Sequence, residues 1–281
     1  MNWLRRFASL PGVRAVLLHP PVRRRVAAVL ALRFLVAARV TTTPLALLLG
    51  EVTRRGSIRT YRLREGGLPV SLQHGRDVEA LFELFVRGEY EPPAPLAARL
   101  HADRVRGVLD VGANVGMFAA WASRRWPAAE ITCYEPDPAN TQVLRTWVHE
   151  SGRPVTVVEA AASTTAGTMT FLEGLGSGSR LTTADEADRP GTTVDTVDVL
   201  PAFAAADLVK MDIEGGEWPI LADPRLADCG PLVLVIEYHR VGAPSLPAGE
   251  AARRLLEGAG FTVGHVTPNH WGHGTMWAWK D

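Results

Sequence analysis

Residues 108–119 read VLDVGANVGMFA: a β-branched run closes on an acid and then breaks into Gly112-Ala113-Asn114-Val115-Gly116. A run of this kind, followed at once by the helical pattern MFAAWASRRW, is a buried strand that turns sharply into a helix. That unit commits the chain to an α/β architecture, because a strand of this type needs a layer on each face. The same alternation continues downstream. EITCYE reads as a strand, PANTQVLRTWVHE as a helix and VTVVEAAA as a strand. LVKMDIEG (208–215) and LVLVIEYH (232–239) are near-continuous apolar runs expected of strands buried on both faces, and GEAARRLLEGAGF is a helix. FTVGHV and TMWAWK form an expected antiparallel pair at the end. The reading is a doubly wound α/β sheet over residues 105–281, preceded by an arm and cap of residues 1–104. Within the cap, IRTYRLR and LPVSLQ form an expected hairpin around Gly66-Gly67, and RDVEALFELFVRG an expected helix.

Charge divides along the same line. Residues 1–66 hold 13 Arg against Glu51 and Glu65, while the remainder carries 17 basic and 28 acidic side chains. The acidic remainder is an unpromising surface for phosphate backbones, so nucleic acid is not the expected partner. The arginine-rich residues 1–50 read as a helical appendage for packing or subunit contact, which allows a homo-oligomer. The apolar stretch Val26–Ala38 is interrupted by Arg33, and a membrane span needs about 18 or more uninterrupted apolar residues. No cleavable leader is legible, and a cytoplasmic location is expected. Cys133 and Cys229 sit in apolar runs and read as buried thiols without metal-type spacing; no metal ligand is assigned, and a divalent ion held by Asp212 and its neighbours stays open, no full ligand set being legible.

The strand–turn–helix carries the functional signal. Ligand groups gather at the carboxyl ends of parallel strands. Gly112 and Gly116 lack a Cβ that would keep a ligand off the main chain, and the N–H groups at the helix start favour an anion. Asp110 can accept from an ammonium or orient the turn, and Asn114 both donates and accepts. Glu135 follows at the tip of the next strand, 23 residues past Gly112, where an acid holds ribose hydroxyls. Turn and acid together indicate a nucleoside cofactor. A dinucleotide fingerprint needs glycine where Asn114 and Met117 stand, so a nicotinamide oxidoreductase is disfavoured. S-adenosyl-L-methionine suits the turn better, offering a carboxylate to the N–H groups and an ammonium to Asp110.

DVGANVG, YEPDPAN, LVKMDIEGGE and VIEYH, in that order, resemble the FkbM-type family of S-adenosylmethionine-dependent methyltransferases over residues 105–265. The resemblance rests on Asp110 through Gly116, on Tyr134-Glu135-Pro136 with Pro138 and Asn140, and on Lys210, Asp212, Glu214, Gly215 and Glu217. It implies a class I fold of seven strands with the final one antiparallel, and O-methylation of a small molecule, sugar or natural product. N-methylation or carboxyl methylation is the alternative chemistry, and a non-catalytic nucleoside-binding module a further one.

Methyl transfer to a hydroxyl needs in-line approach and a base for the proton. Asp212, at the end of the fourth parallel strand, is expected at the methionine end of the cofactor and Glu214 near the acceptor. Glu214 and Glu217 could instead cap the following helix. Glu237 and His239 end the next strand as further catalytic candidates, His239 having the ordinary pKa best placed for a base. Ser163 is expected on the adenine side, or in solvent at a strand end. Tyr90, His270, Trp271 and His273 are candidate acceptor contacts, and the Gly/Ser stretch 174–180 is either a lid or a plain connection.

Overall fold

The computed structural model describes residues 31, 33–53, 56–172, 180–182, 190–230, 232–245, 247–268 and 272–281. The chain divides into two compact units, one ending at Arg87 and the other running from Gly88 to Asp281. Residues 88–104 thus go with the second unit.

In the first unit, residues 33–40 are helical, and α1 (Pro44–Thr53) leads to a hairpin of β1 (Ile58–Arg62) and β2 (Pro69–Gln73). The hairpin pairs Ile58 with Gln73 and Arg62 with Pro69 across the expected Gly66-Gly67 turn, both glycines having positive φ. The helix after it begins as α2 (Val78–Phe82) but continues as a π turn over Glu83–Arg87, so the expected single α-helix changes its winding midway. A buried polar chain stands beside the hairpin. The His74 ring donates from Nδ1 to Glu51 Oε1 at 2.6 Å and accepts from the Tyr61 hydroxyl at Nε2, 2.7 Å away.

The second unit is built on a seven-stranded sheet. Its first three parallel members in chain order are β3 (Gly107–Val111), β4 (Glu130–Tyr134) and β5 (Val155–Val158). Three further strands, β6 (Ala161–Ser163), β7 (Gly167–Leu172) and β8 (Arg180–Leu181), join β9 (Thr192–Asp198) in a separate four-stranded sheet. The main sheet resumes with β10 (Leu208–Met211), β11 (Leu232–Tyr238), β12 (Thr262–Pro268) and β13 (Gly274–Lys280). Its order is β12-β13-β11-β10-β3-β4-β5, with β13 antiparallel to both neighbours. Every residue of β10 is buried, as is Leu232–Ile236 of β11, which explains why both read as unbroken apolar runs.

Helices α3 (Met117–Arg125) and α4 (Pro138–Ser151) follow β3 and β4 directly. Asp137 caps α4, its side chain accepting from the N–H groups of Ala139 and Asn140, with Pro138 in the first turn and Gly152 closing the helix in the left-handed conformation. Short helices α5 (Leu200–Phe203) and α6 (Glu217–Ala222) precede and follow β10, and α7 (Ala248–Gly258) follows β11. One strand expectation is corrected. Val155–Ala162 is not a single strand: the chain leaves the main sheet after Val158 and re-enters regular structure at Ala161, paired with β9. Among the described residues no helix is long and apolar enough to cross a membrane.

Candidate active site

The carboxyl ends of β3, β4 and β10 open onto one cleft, walled by Gly112, Asn114, Glu135, Pro136, Asp212 and Glu214 among others. Those six were all expected from the sequence. Asn140, Ala161 and Ala162 complete the wall from α4 and β6, and Phe171, Arg180 and Leu181 reach it from the small sheet. No local pattern announces the last three, because their placement depends on how β7 and β8 pair.

The turn after β3 works differently from the expectation. A Cβ on Gly112 would overlap the carbonyl of Asp212, and one on Gly116 would strike Leu144. Both glycines also have positive φ. They are therefore demanded by packing against the chain's own neighbours, with Gly116 lying outside the cleft wall. The N–H groups are likewise spent inside the chain. Those of Gly112 and Ala113 both donate to the Tyr134 carbonyl at 3.0 Å, and that of Gly116 donates to the Ala113 carbonyl. The Asn114 N–H donates to Glu135 Oε2 at 2.8 Å. An anion cradle at these four groups is thus corrected.

Asp110 is fully buried beneath the turn, where it faces its strand neighbour Lys210 at 3.3 Å. Lys210 in turn donates to the Gly112 carbonyl at 2.7 Å. Of the two roles considered for Asp110, the geometry matches the orientation of the turn; it does not reach the cleft. Burial raises the Asp110 carboxyl, with Lys210 opposing that rise.

Glu135 is only 5% exposed, and burial raises its carboxyl. Its Oε1 accepts from the Asp137 N–H at 2.9 Å and from Asn140 Nδ2 at 3.1 Å. With Asn114 on Oε2, three of a carboxylate's roughly four acceptor positions are filled. Three other oxygens on the cleft wall have the opposite character. Asn114 Oδ1, Asn140 Oδ1 and Asp212 Oδ1 are buried and accept no hydrogen bond.

A second group of side chains gathers at the tips of β10 and β11. His239, buried just past β11, has Nε2 3.3 Å from Glu214 Oε2 and 3.8 Å from Asp212 Oδ1. Glu217 Oε1 accepts from the His239 backbone N–H at 2.7 Å and lies 3.3 Å from Nδ1. Burial works against the charge on His239, but the three carboxylates outweigh it and lift the imidazole to about 9. Glu214 is raised to about 7, chiefly by burial and then by Asp212. Glu237 is raised to about 8 for the same two reasons. Glu214 also adopts a positive φ of 53°, unusual for a side chain with a Cβ.

Tyr90 is buried and donates its hydroxyl to Glu237, with its ring edge-on to Phe118. It is not among the residues that wall the cleft. Ser163 ends β6 and lines a neighbouring, more apolar cavity with Trp218 and Leu255, outside the main cleft. His273 packs edge-on against His239, their ring centres 5.1 Å apart. His270, Trp271 and residues 174–179 lie outside the described residues.

A seven-stranded sheet closed by an antiparallel last strand, with a polar cleft at the carboxyl ends of β3, β4 and β10, is the class I methyltransferase fold. Residues 110–263 match the methyltransferase FkbM domain, and the chain belongs to that family. S-adenosylmethionine is the cofactor of the family. The methyltransferase sdnD of Sordaria araneosa is 27% identical over 151 residues, covering 41% of this chain and 58% of that protein. This chain therefore spans less than two thirds of that relative's length. Among solved structures, Aeropyrum pernix fibrillarin with bound S-adenosyl-L-methionine is similar at a TM-score of 0.40 and 14% identity, covering 80% of this chain and 95% of that one. The precorrin-6y C5,15-methyltransferase of Geobacter metallireducens is similar at a TM-score of 0.38 and 19% identity, covering 66% and 87%.

Proposed function

We propose that this chain transfers a methyl group from S-adenosylmethionine to a hydroxyl oxygen of a small molecule. The observation that carries the reading is the set of three bare acceptors, Asn114 Oδ1, Asn140 Oδ1 and Asp212 Oδ1, around one cleft. Buried acceptors left unmade cost on the order of 1–3 kcal/mol each, so such a wall suits a ligand rich in donors. A nucleoside with an amino-acid head has them: two ribose hydroxyls, an adenine amino group and an ammonium. The one free position on Glu135 takes one ribose hydroxyl, and Asn140 or Asn114 the other. Asp212 faces the ammonium end, and Ala161, Ala162 and Phe171 supply the apolar wall that a purine needs.

Bound in this cleft, S-adenosylmethionine supplies an electrophilic methyl group on a sulfonium. The chain's own task is to align the acceptor and take its proton as the carbon–oxygen bond forms. Glu214, on the cleft wall, and Glu237, level with Asp212 at the tip of the adjacent strand, are the carboxylates placed to receive it. Burial of both in one corner also argues for an enzyme over a passive binding module, since unused buried carboxylates are costly.

The test is transfer of labelled methyl from S-adenosylmethionine to a panel of hydroxylated, aminated and carboxylated small molecules. Label in ethers, lost in the Glu214→Gln, Glu237→Gln double variant, supports the proposal. Label confined to amines or esters would replace it with N-methylation or carboxyl methylation.

A further inference from the structure

We infer that Asp212, Glu214 and His239 form a seat for a divalent cation at the edge of the methyl-donor cleft. One ligand atom from each side chain lies within 4.8 Å of the other two. The spacings from His239 Nε2 are 3.3 Å to Glu214 Oε2 and 3.8 Å to Asp212 Oδ1. A cation about 2.1 Å from each ligand needs neighbouring ligand atoms about 3.0 Å apart in octahedral and about 3.4 Å apart in tetrahedral geometry. The two edges at His239 lie within about 0.4 Å of the tetrahedral spacing.

Two independent features point to a ligand. First, Asp212 Oδ1 is shut off from solvent yet accepts no hydrogen bond, while Lys210 lies 3.8 Å from the other oxygen, so the carboxylate can offer Oδ1 to a cation and Oδ2 to the donor's ammonium. Second, Glu217 stands behind His239 as metal-bound histidines require. It accepts from the His239 backbone N–H and faces Nδ1 at 3.3 Å, which holds the ring with Nε2 toward Asp212 and Glu214. Glu217 is completely buried, so this backing is rigid. The set joins one imidazole to two carboxylates, a mixture that suits Mn²⁺, Fe²⁺ or Zn²⁺ better than a thiolate-seeking ion. The ligands come from the turn after β10 and the end of β11, and that separation hides the site from the sequence.

Three protein ligands leave coordination positions open toward the cleft. The inference here rests on the methyltransferase reading: the acceptor would carry a second oxygen donor beside the hydroxyl to be methylated, as a vicinal diol or hydroxy acid does. Glu214 then serves as a ligand, and Glu237 is left as the carboxylate that receives the proton.

The experiment is titration of Mn²⁺ into the full chain stripped with EDTA, followed by electron paramagnetic resonance of the free ion. One tight site per chain is expected, weakened at least about tenfold in Glu214→Gln and in His239→Gln and unchanged in the exposed His101→Gln. Glu214 is partly exposed, so its variant keeps the test valid if the buried His239 variant fails to fold. Equal Mn²⁺ binding in wild type and Glu214→Gln, or none in either, overturns the inference. Calorimetry of S-adenosylmethionine on the same stripped samples separates the two proposals. Donor binding without Mn²⁺ binding sinks only the cation seat, and Mn²⁺ binding without donor binding sinks only the donor reading.

Discussion

Lys210 and Asp110 are direct partners on adjacent parallel strands, their charges 3.3 Å apart in a buried layer beneath the turn after β3. The Lys210 ammonium spends a second donor on the Gly112 carbonyl, so one buried ion pair fixes the turn that shapes the cleft floor. Burial alone would lower the Lys210 ammonium, but Asp110, Asp212 and Glu237 hold it above its ordinary value. Removing one partner of such a pair leaves a bare buried charge. Lys210→Met is expected to lower unfolding free energy by about 3–5 kcal/mol, measured by urea denaturation. A loss under about 1 kcal/mol would mean that Asp110 is neutral or solvated without its partner.

Gly112 is expected to tolerate no side chain, and the reason is internal. Its Cβ would meet the Asp212 carbonyl, and its φ of +81° is one that alanine rarely adopts. Gly112→Ala should cost at least about 2 kcal/mol in thermal or chemical unfolding of the protein without cofactor. A variant of wild-type stability that merely binds the donor poorly would instead return Gly112 to the role of baring the backbone for the ligand.

Glu135 has two tasks, and they can be separated. Glu135→Ala strands the Asn114 N–H, the Asp137 N–H and Asn140 Nδ2, so a stability loss on the order of 2 kcal/mol or more is expected. Calorimetry should also show S-adenosylmethionine affinity at least about tenfold weaker, corresponding to 1.4 kcal/mol or more. Unchanged affinity would remove Glu135 from the donor site and leave it as a brace for the turn.

The same residues show how far the sequence could be read. Gly112, Asn114, Glu135, Asp212 and Glu214 were placed on one cleft because strand tips converge in an open α/β sheet, a rule that needs only the order of elements. The physical reasons behind some of those residues were not legible. Nothing local says that Gly116 answers to Leu144, or that the turn's N–H groups are absorbed by Tyr134 and Glu135. The apolar continuity of Val155–Ala162 hid a change of sheet at Val158, because hydrophobic periodicity reports burial and not pairing partner. That change in turn concealed Phe171 and Arg180 on the cleft wall. The hydrogen bond from Tyr90 to Glu237 spans 147 residues, and no local pattern announces it.

The account stands on the donor occupying the cleft between the turn after β3 and the tip of β10. A crystal structure of the full chain grown with S-adenosylmethionine tests this most directly. The predicted density places the ribose against Glu135 and Asn140 and the methionine end beside Asp212. Density for the donor elsewhere, or an empty cleft at saturating donor, would contradict the account.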